Sequence, residues 1–302
     1  MTRTILAPFD GSEGSRAALD YADELARDER LAALYVVEPV TGGTDAPGEG
    51  GGDRRARLER AFERARDRLA EAEDLVGGRA GAFDAEFHYG HPIHEILRYV
   101  DRYVVEEVVM GAHGLDDASD LRLGSVAESV VRRSPAPVTV VRSRGTAGDA
   151  GRPGSVLVPF DGSEPARDAL VYALERFPGA TVTALFADYP ATGDAEHLGP
   201  GGDRGTGFDG WYDAVREWHG LADRDPEAVL GLATDVADAR DREVGTVVEP
   251  GDPTRTVLDR AERDADHVVV GSHSRDGVTR QLLGSVAAFV VRRSPTSVTV
   301  VR

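Results

Sequence analysis

Residues 107–142, EVVMGAHGLDDASDLRLGSVAESVVRRSPAPVTVVR, return as residues 267–302, HVVVGSHSRDGVTRQLLGSVAAFVVRRSPTSVTVVR. The two stretches align without a gap and agree at 21 of 36 positions, 16 of them in the last 20. Each reads as a buried apolar strand, a glycine-bounded loop, a short helix and a final strand. A repeat of this size in a chain of 302 residues predicts two units of ordinary domain length.

Working outward from the first copy, Thr4 to Phe9 is an almost wholly apolar run, as expected of a parallel strand covered on both faces. It ends at Pro8-Phe9-Asp10-Gly11-Ser12, ahead of a helix with Ala18, Ala22 and Leu25 on one side. Asp10 therefore stands at the carboxyl end of a strand, where open α/β sheets bind ligands. An aspartate there can also simply fix the turn. Leu31–Val37 is a second strand, and residues 40–52 form an acidic Gly-rich loop. A long helix follows, with Leu58, Phe62, Ala65, Leu69, Ala72 and Val76 as one apolar stripe. Its arginines and glutamates alternate, which reads as a solvated face. Phe83, Ala85, Phe87 and Tyr89 mark a third strand, and Gly90-His91-Pro92 opens another helix. His88, His91 and His94 fall close together, but no carboxylate or cysteine pattern completes a metal site around them. The order βαβαβαβαβ, with right-handed crossovers, predicts one parallel sheet wrapped by helices.

After a Gly/Arg-rich linker at 144–154 the pattern starts again. Val156–Phe160 ends in Pro159-Phe160-Asp161-Gly162-Ser163, the same motif as Pro8 to Ser12. Thr181–Ala187 is the second strand of this half. Residues 211–240 read as helical, with an interruption at Asp225-Pro226. Gly251-Asp252-Pro253 matches Gly90-His91-Pro92. The expected units are residues 1–143 and 155–302.

Composition excludes several chemistries. There is no cysteine, hence no disulfide, thiol nucleophile or cysteine-ligated metal. There is no lysine either, so all 35 basic residues are arginine. A Walker A loop and a lysine Schiff base are thereby absent. Gly-x-Gly-x-x-Gly follows neither first strand, which disfavours a dinucleotide oxidoreductase. A net charge of −18 opposes binding to nucleic-acid backbones. An acidic, lysine-free, arginine-retaining chain resembles proteins of salt-accumulating halophilic archaea. No run of apolar residues has membrane-spanning length, and Met1 leads directly into a strand without a signal-peptide pattern, so the expectation is a cytoplasmic protein.

The glycine loop carries the functional reading. A strand, a glycine-bounded loop and a helix start make an anion site in principle, because free N–H groups and the helix dipole both favour negative charge. Gly111, Gly114, Gly124 and Ser125 give the spacing Gly-x-x-Gly, nine residues, Gly-Ser. Together with Pro8-x-Asp10-Gly-Ser and the Gly-x-Pro before the third helix, this resembles the universal stress protein family, in a tandem form. The resemblance covers nearly the full length of both halves. It implies two Rossmann-like (adenine nucleotide alpha-hydrolase-like) domains, each a five-stranded parallel sheet of order 3-2-1-4-5 with an ATP site at its switch point, with Mg²⁺ as an optional companion of the nucleotide. It counts Pro8 among the nucleotide-binding residues, and places Asp10 beside the ribose and phosphates and Val36 against adenine. Met110, Gly111 and Gly114 would underlie the nucleotide, and Gly124, Ser125 and Val126 would hold phosphate. It further implies that the last strands, Val138–Val141 and Val298–Val301, pair within the chain as a pseudo-dimer, with a homodimer as a further option.

The second copy keeps Asp161, Gly271, Gly284, Ser285 and Val286, with Val270 in place of Met110, but Ser274 replaces the second glycine and Ala187 stands where Val36 stands. Its loop carries Arg275 and Arg280, whereas the first loop carries Asp116, Asp117 and Asp120. One nucleotide site, in the first half, is therefore the leading expectation, with a role in stress response or signalling. The alternatives are a scaffold that keeps the fold without nucleotide, and a slow ATPase. No residue is assigned a catalytic role, since neither a lysine nor an evident general base accompanies the loop.

Overall fold

A computed structural model describes residues 3–27, 29–39, 51–113, 123–142, 152–188, 225–272 and 283–302, without the side chains of 51–54. In the first half, β1 (Thr4–Pro8), α1 (Glu13–Leu25), β2 (Arg30–Val37), α2 (Gly51–Leu75), β3 (Ala82–Tyr89), α3 (Pro92–Arg102), β4 (Val105–Gly111), α4 (Ser125–Arg133) and β5 (Val138–Val141) follow in order. In the second, they are β6 (Ser155–Pro159), α5 (Glu164–Arg176), β7 (Thr181–Asp188), α6 (Pro226–Asp238), β8 (Gly245–Pro250), α7 (Pro253–Asp264), β9 (His267–Gly271), α8 (Ser285–Arg293) and β10 (Ser297–Val301).

The strands form one ten-stranded sheet of order β3-β2-β1-β4-β5-β10-β9-β6-β7-β8. Each half contributes the expected 3-2-1-4-5 arrangement, parallel throughout. The halves meet where β5 and β10 pair antiparallel, with Val298 opposite Val140, Thr299 opposite Thr139 and Val300 opposite Val138. Thr139 and Thr299 are equivalent positions of the repeat. A pseudo-two-fold axis therefore passes between them.

Alternation along the strands divides the core into two layers. Ile5 and Ala7 face α1, while Leu6 faces the other side of the sheet. One layer packs under α1, α2, α5 and α6, the other under α3, α4, α7 and α8. Each layer runs through both halves without a break at the seam, from Ile5 to Val301 in one and from Leu6 to Val300 in the other. The stripe expected on α2 holds along most of its length, with Phe62, Leu69 and Val76 half-buried, and departs from expectation at its first position. Ala61, Ala65 and Ala72 are its buried positions, and Leu58 is 37% exposed. The expected break at Asp225-Pro226 is a helix start, with Asp225 accepting from the Glu227 N–H and Pro226 in the first turn. Residues 211–224 lie outside the described residues.

Candidate functional site

β1 pairs with β2 on one side and β4 on the other. The carboxyl ends of β1 and β4 thus flank a switch point, where the next strand is reached in opposite directions. Everything singled out in the first half belongs to these two ends and to the helix starts that follow them.

After β1 the chain turns sharply, with Gly11 at φ +80°, a conformation that L side chains rarely adopt. The Ser12 N–H donates to Asp10 Oδ1 at 2.9 Å, and the Ser15 N–H donates to Ser12 Oγ at 3.1 Å, capping α1. The Gly11 N–H donates to Ser15 Oγ at 3.1 Å. The second half repeats this turn. Gly162 has φ +76°, and the Ser163 N–H and hydroxyl both donate to Asp161 Oδ1, at 2.9 and 2.5 Å. Both aspartates therefore hold their turns, whatever else they do.

Beside this turn, Ala112 N–H donates to the Val141 carbonyl at 3.1 Å, and Gly124 N–H donates to the Ala112 carbonyl at 2.8 Å. The stems of the glycine loop are thus closed on each other and on β5. Gly124 is the N-cap of α4 and supplies no side chain to cap it, and Gly284 stands likewise before α8. By contrast α1, α5, α6 and α7 each have a side-chain cap, from Ser12, Ser163, Asp225 and Asp252. The first N–H groups of both helices that follow the glycine loops thus lack a side-chain cap, as do those of α3 behind His91, where Pro92 stands in the first turn and has no N–H. Ser125 at the start of α4 is exposed and its carbonyl accepts from the Ser129 hydroxyl at 2.8 Å.

Val36, Met110, Val126 and Leu123 all contribute to one apolar cluster, on the face covered by α3 and α4. Met110 is buried and Val36 and Val126 are half-buried, so this wall remains partly open. Pro8, half-buried, pairs in register with Leu34. In the second half Val270 is buried, Val286 packs on the same kind of cluster, and Ala187 is half-buried opposite Glu249. Gly114, Asp116, Asp117, Asp120, Ser274, Arg275 and Arg280 lie outside the described residues.

Gly111 and Gly271 have a nearer neighbour than any ligand. A Cβ on Gly111 would lie 2.5 Å from the carbonyl carbon of Gly14, and a Cβ on Gly14 would lie 2.7 Å from the carbonyl oxygen of His113. A Cβ on Gly271 would lie 2.1 Å from the carbonyl oxygen of Pro165. The first turns of α1 and α5 press onto the ends of β4 and β9, and this packing alone requires glycine.

Two features escape a reading of the sequence. A Cβ on Gly11 would lie 2.5 Å from Arg68 Nη1, so the Arg68 guanidinium of α2 covers the turn after β1. Arg68 donates to Glu71 Oε2 at 2.6 Å, and Arg16 donates to Glu71 Oε1 at 2.6 Å. Burial pushes the Glu71 carboxyl up, but the hydrogen bonds from Arg68 and Arg16 outweigh it and hold the group below the ordinary carboxylate range. The second half keeps an arginine, Arg167, at the position of Arg16, but α6, the counterpart of α2, contains none to stand for Arg68. The signal was hidden because Arg68 stands among many charges on a helix that reads as solvated. Second, His113 Nε2 is buried without a hydrogen-bond partner among the described residues.

The clustered histidines have other partners. His88 Nδ1 lies 3.1 Å from Glu95 Oε2, which also accepts from Arg98, and this ties β3 to α3. His91 occupies the N-cap of α3, its ring 5.3 Å from that of His94. Among the described residues no three potential ligands gather as a metal site, and no helix is long and apolar enough to cross a membrane.

Comparison with known proteins agrees with this architecture. The sequence model described as "Universal stress protein family" matches residues 1–142 and again 154–302. A universal stress protein of Mycolicibacterium smegmatis is 29% identical over 310 residues, covering 99% of this chain and 96% of its own. One from Thermus aquaticus is 35% identical over 144 residues, covering 47% of this chain and all of its own. Among solved structures, a universal stress protein from Archaeoglobus fulgidus superposes with a TM-score of 0.69 at 24% identity, covering 99% of this chain and 98% of that one.

Proposed function

The chain belongs to the universal stress protein family, and from that premise we propose that its first half binds ATP at the switch point between β1 and β4. The observation that carries this reading is the start of α4. Its N–H groups lack a side-chain cap, they follow a glycine, and they stand at the end of a loop whose stems are tied to β5. Such a helix start favours a phosphate through both its free donors and its dipole. The partly open wall of Val36, Met110 and Val126 suits an apolar base. Ser125 supplies a hydroxyl donor, and Arg16 and Arg68 add positive charge beside the Asp10 turn that the acidic loop does not provide. Gly114 would let the loop approach the phosphates, and Mg²⁺ would offset the acidic residues near them. The second half keeps the glycine before α8, but it has Ser274 in the loop, Ala187 on the wall and no arginine on α6, which supports a weaker site there. The role in stress response or signalling rests on the family. The acidic, lysine-free composition supports a working environment of concentrated salt.

The test is to denature the purified protein, identify released small molecules by mass spectrometry, and titrate ATP with Mg²⁺ calorimetrically in high KCl. Bound nucleotide or saturable heat is expected. Val36→Glu should weaken binding by roughly tenfold or more with the fold intact, because it places a second anion against the nucleotide. Gly114→Val should remove most binding. A wild-type protein with neither released nucleotide nor saturable heat would overturn the reading. Gly111→Ala is unsuitable as a binding test, because the contact with Gly14 makes it a folding variant first.

A further inference from the structure

The two sheet edges that meet at the seam are nearly interchangeable. Both carry the same Val-Thr-Val-Val run and the same arginine after it, Arg142 and Arg302. Nothing in these shared residues stops β5 from pairing with β5 of another copy, or β10 with β10. The discrimination lies in what is buried beneath the strands, where equivalent positions differ.

On the axis, Thr139 Oγ1 is 2.5 Å from both Glu107 Oε1 and Thr299 Oγ1, and Thr299 Oγ1 is 2.7 Å from His267 Nε2. His267 Nδ1 is 3.1 Å from the Tyr21 hydroxyl. Glu107, Thr139, Thr299 and His267 are fully buried. Glu107 and His267 are equivalent positions of the repeat. Counting donors assigns one direction to the chain of bonds. A carboxylate only accepts, so Thr139 donates to Glu107. Thr299 must then donate to Thr139, His267 Nε2–H to Thr299, and the Tyr21 hydroxyl to His267 Nδ1. This order needs an acceptor at one end and a donor at the other.

Charge follows the same asymmetry. Arg176, from α5, donates to Glu107 at 3.0 Å and to Glu29 at 3.0 Å. Both carboxylates come from the first half. The first-half residue equivalent to Arg176 is Leu25, buried and apolar. Burial alone would lower the Arg176 pKa, but Glu107, Tyr172 and Glu29 together outweigh it and keep the guanidinium protonated.

We propose that this buried network is a pairing code, which admits only a first half against a second half and rejects like halves of neighbouring copies. Two first halves would bury two Glu107 carboxylates with no arginine, and the two central threonines would lack a proton to share. Two second halves would bury two Arg176 side chains with no carboxylate. Each mismatch strands charge in a dry interface, the arrangement that single-partner removal shows to be strongly unfavourable. The partner this edge selects is therefore the complementary half, in the same chain or, if the seam opens, reciprocally in another.

The test starts from the whole chain with a specific protease site placed in residues 144–151. The cut protein is mixed with its ¹⁵N-labelled equivalent, unfolded in denaturant, refolded by dilution and weighed by native mass spectrometry. The expected result is complete label exchange with only first–second pairs, like pairs being rarer on the order of a hundredfold. The triple variant E29Q/E107H/R176L removes the three charges and gives both halves the same residues at 107/267 and at 25/176. It should yield first–first and second–second pairs approaching the statistical share. E29Q/E107Q/R176M removes the charges with closer shapes and carries the same expectation should the first variant fold poorly. Like pairs at a statistical share in the wild type, or first–second pairs alone in a folded neutral variant, would overturn the proposal.

Discussion

At the scale of single residues, His267 shows what burial does to a titrating group. Removal from water pushes its pKa down to about 3, against the opposing charge of Asp266. It is therefore neutral in the folded chain, as the hydrogen bonds from Tyr21 and to Thr299 require. An unfolded histidine titrates near 6.5. Between about pH 6.5 and 3 the unfolded chain binds a proton that the folded chain does not, so stability falls as pH drops below 6.5. The slope is about 1.4 kcal/mol per pH unit, or roughly 2 kcal/mol by pH 5. Urea unfolding at pH 7, 6 and 5 should show this loss in the wild type and a shallower one in His267→Gln. Equal slopes would mean that His267 is not held neutral in the folded state. None of this was legible in the sequence, where His267 is one apolar-strand residue among valines. The glycines were legible as necessary, but the reason for Gly111 and Gly271 was not. Their contact lies across the sheet end, at Gly14 and Pro165, about a hundred residues away in the chain. Gly11 was legible, because its left-handed turn is a local property of Asp-Gly-Ser.

At the scale of elements, the seam is built by reciprocal capping. Arg142, just past β5, donates to the carbonyls of Val291 and Arg292 at the end of α8, at 2.7 and 3.0 Å. Arg302, just past β10, donates to the carbonyls of Val131, at 3.0 Å, and Arg132 at the end of α4. The last carbonyls of a helix have no partner within it and carry partial negative charge, which a guanidinium satisfies. Arg292 adds an ion pair to Glu128 across the same seam. Arg142→Ala and Arg302→Ala should each lower stability by about 1.5–3 kcal/mol, the range of hydrogen bonds to a charged group. The two losses should add, because the caps share no partner. Denaturant melts of both single variants and the double variant test this. A loss in one variant alone would break the two-fold equivalence. The elements themselves were well anticipated, since strands buried on both faces and helices of one stripe leave strong periodic signals. α2 differs at one end, where Leu58 is 37% exposed and small Ala61 and Ala65 take the close contact with β2.

At the scale of the whole molecule, the repeat suggests two bodies and the packing makes one. Each apolar layer continues through the seam, the sheet is hydrogen-bonded across it, and Arg152 reaches back from the connection to the carbonyls of Glu24 and Leu25 at the end of α1. Opening one half would expose the buried β5 or β10 and strand Glu107 or Arg176 without its counter-ion. The free energy of either half thus depends on the other, and cooperative unfolding follows. Calorimetry should show a single transition whose van't Hoff and calorimetric enthalpies agree. The net charge of −18 acts on the same equilibrium from outside. Mutual repulsion of the surface carboxylates favours expansion, and salt screens it, with a screening length of about 10 Å at 0.1 M and about 3 Å at 1 M. The buried ion pairs of the seam are screened far less, so added KCl should raise the transition temperature while the transition remains single. Scans at about 0.1, 1 and 3 M KCl separate the two effects. A second peak at low salt would show that the seam yields before the halves do. An unchanged midpoint would remove surface charge from the account of stability and leave the continuous core and the seam to explain it.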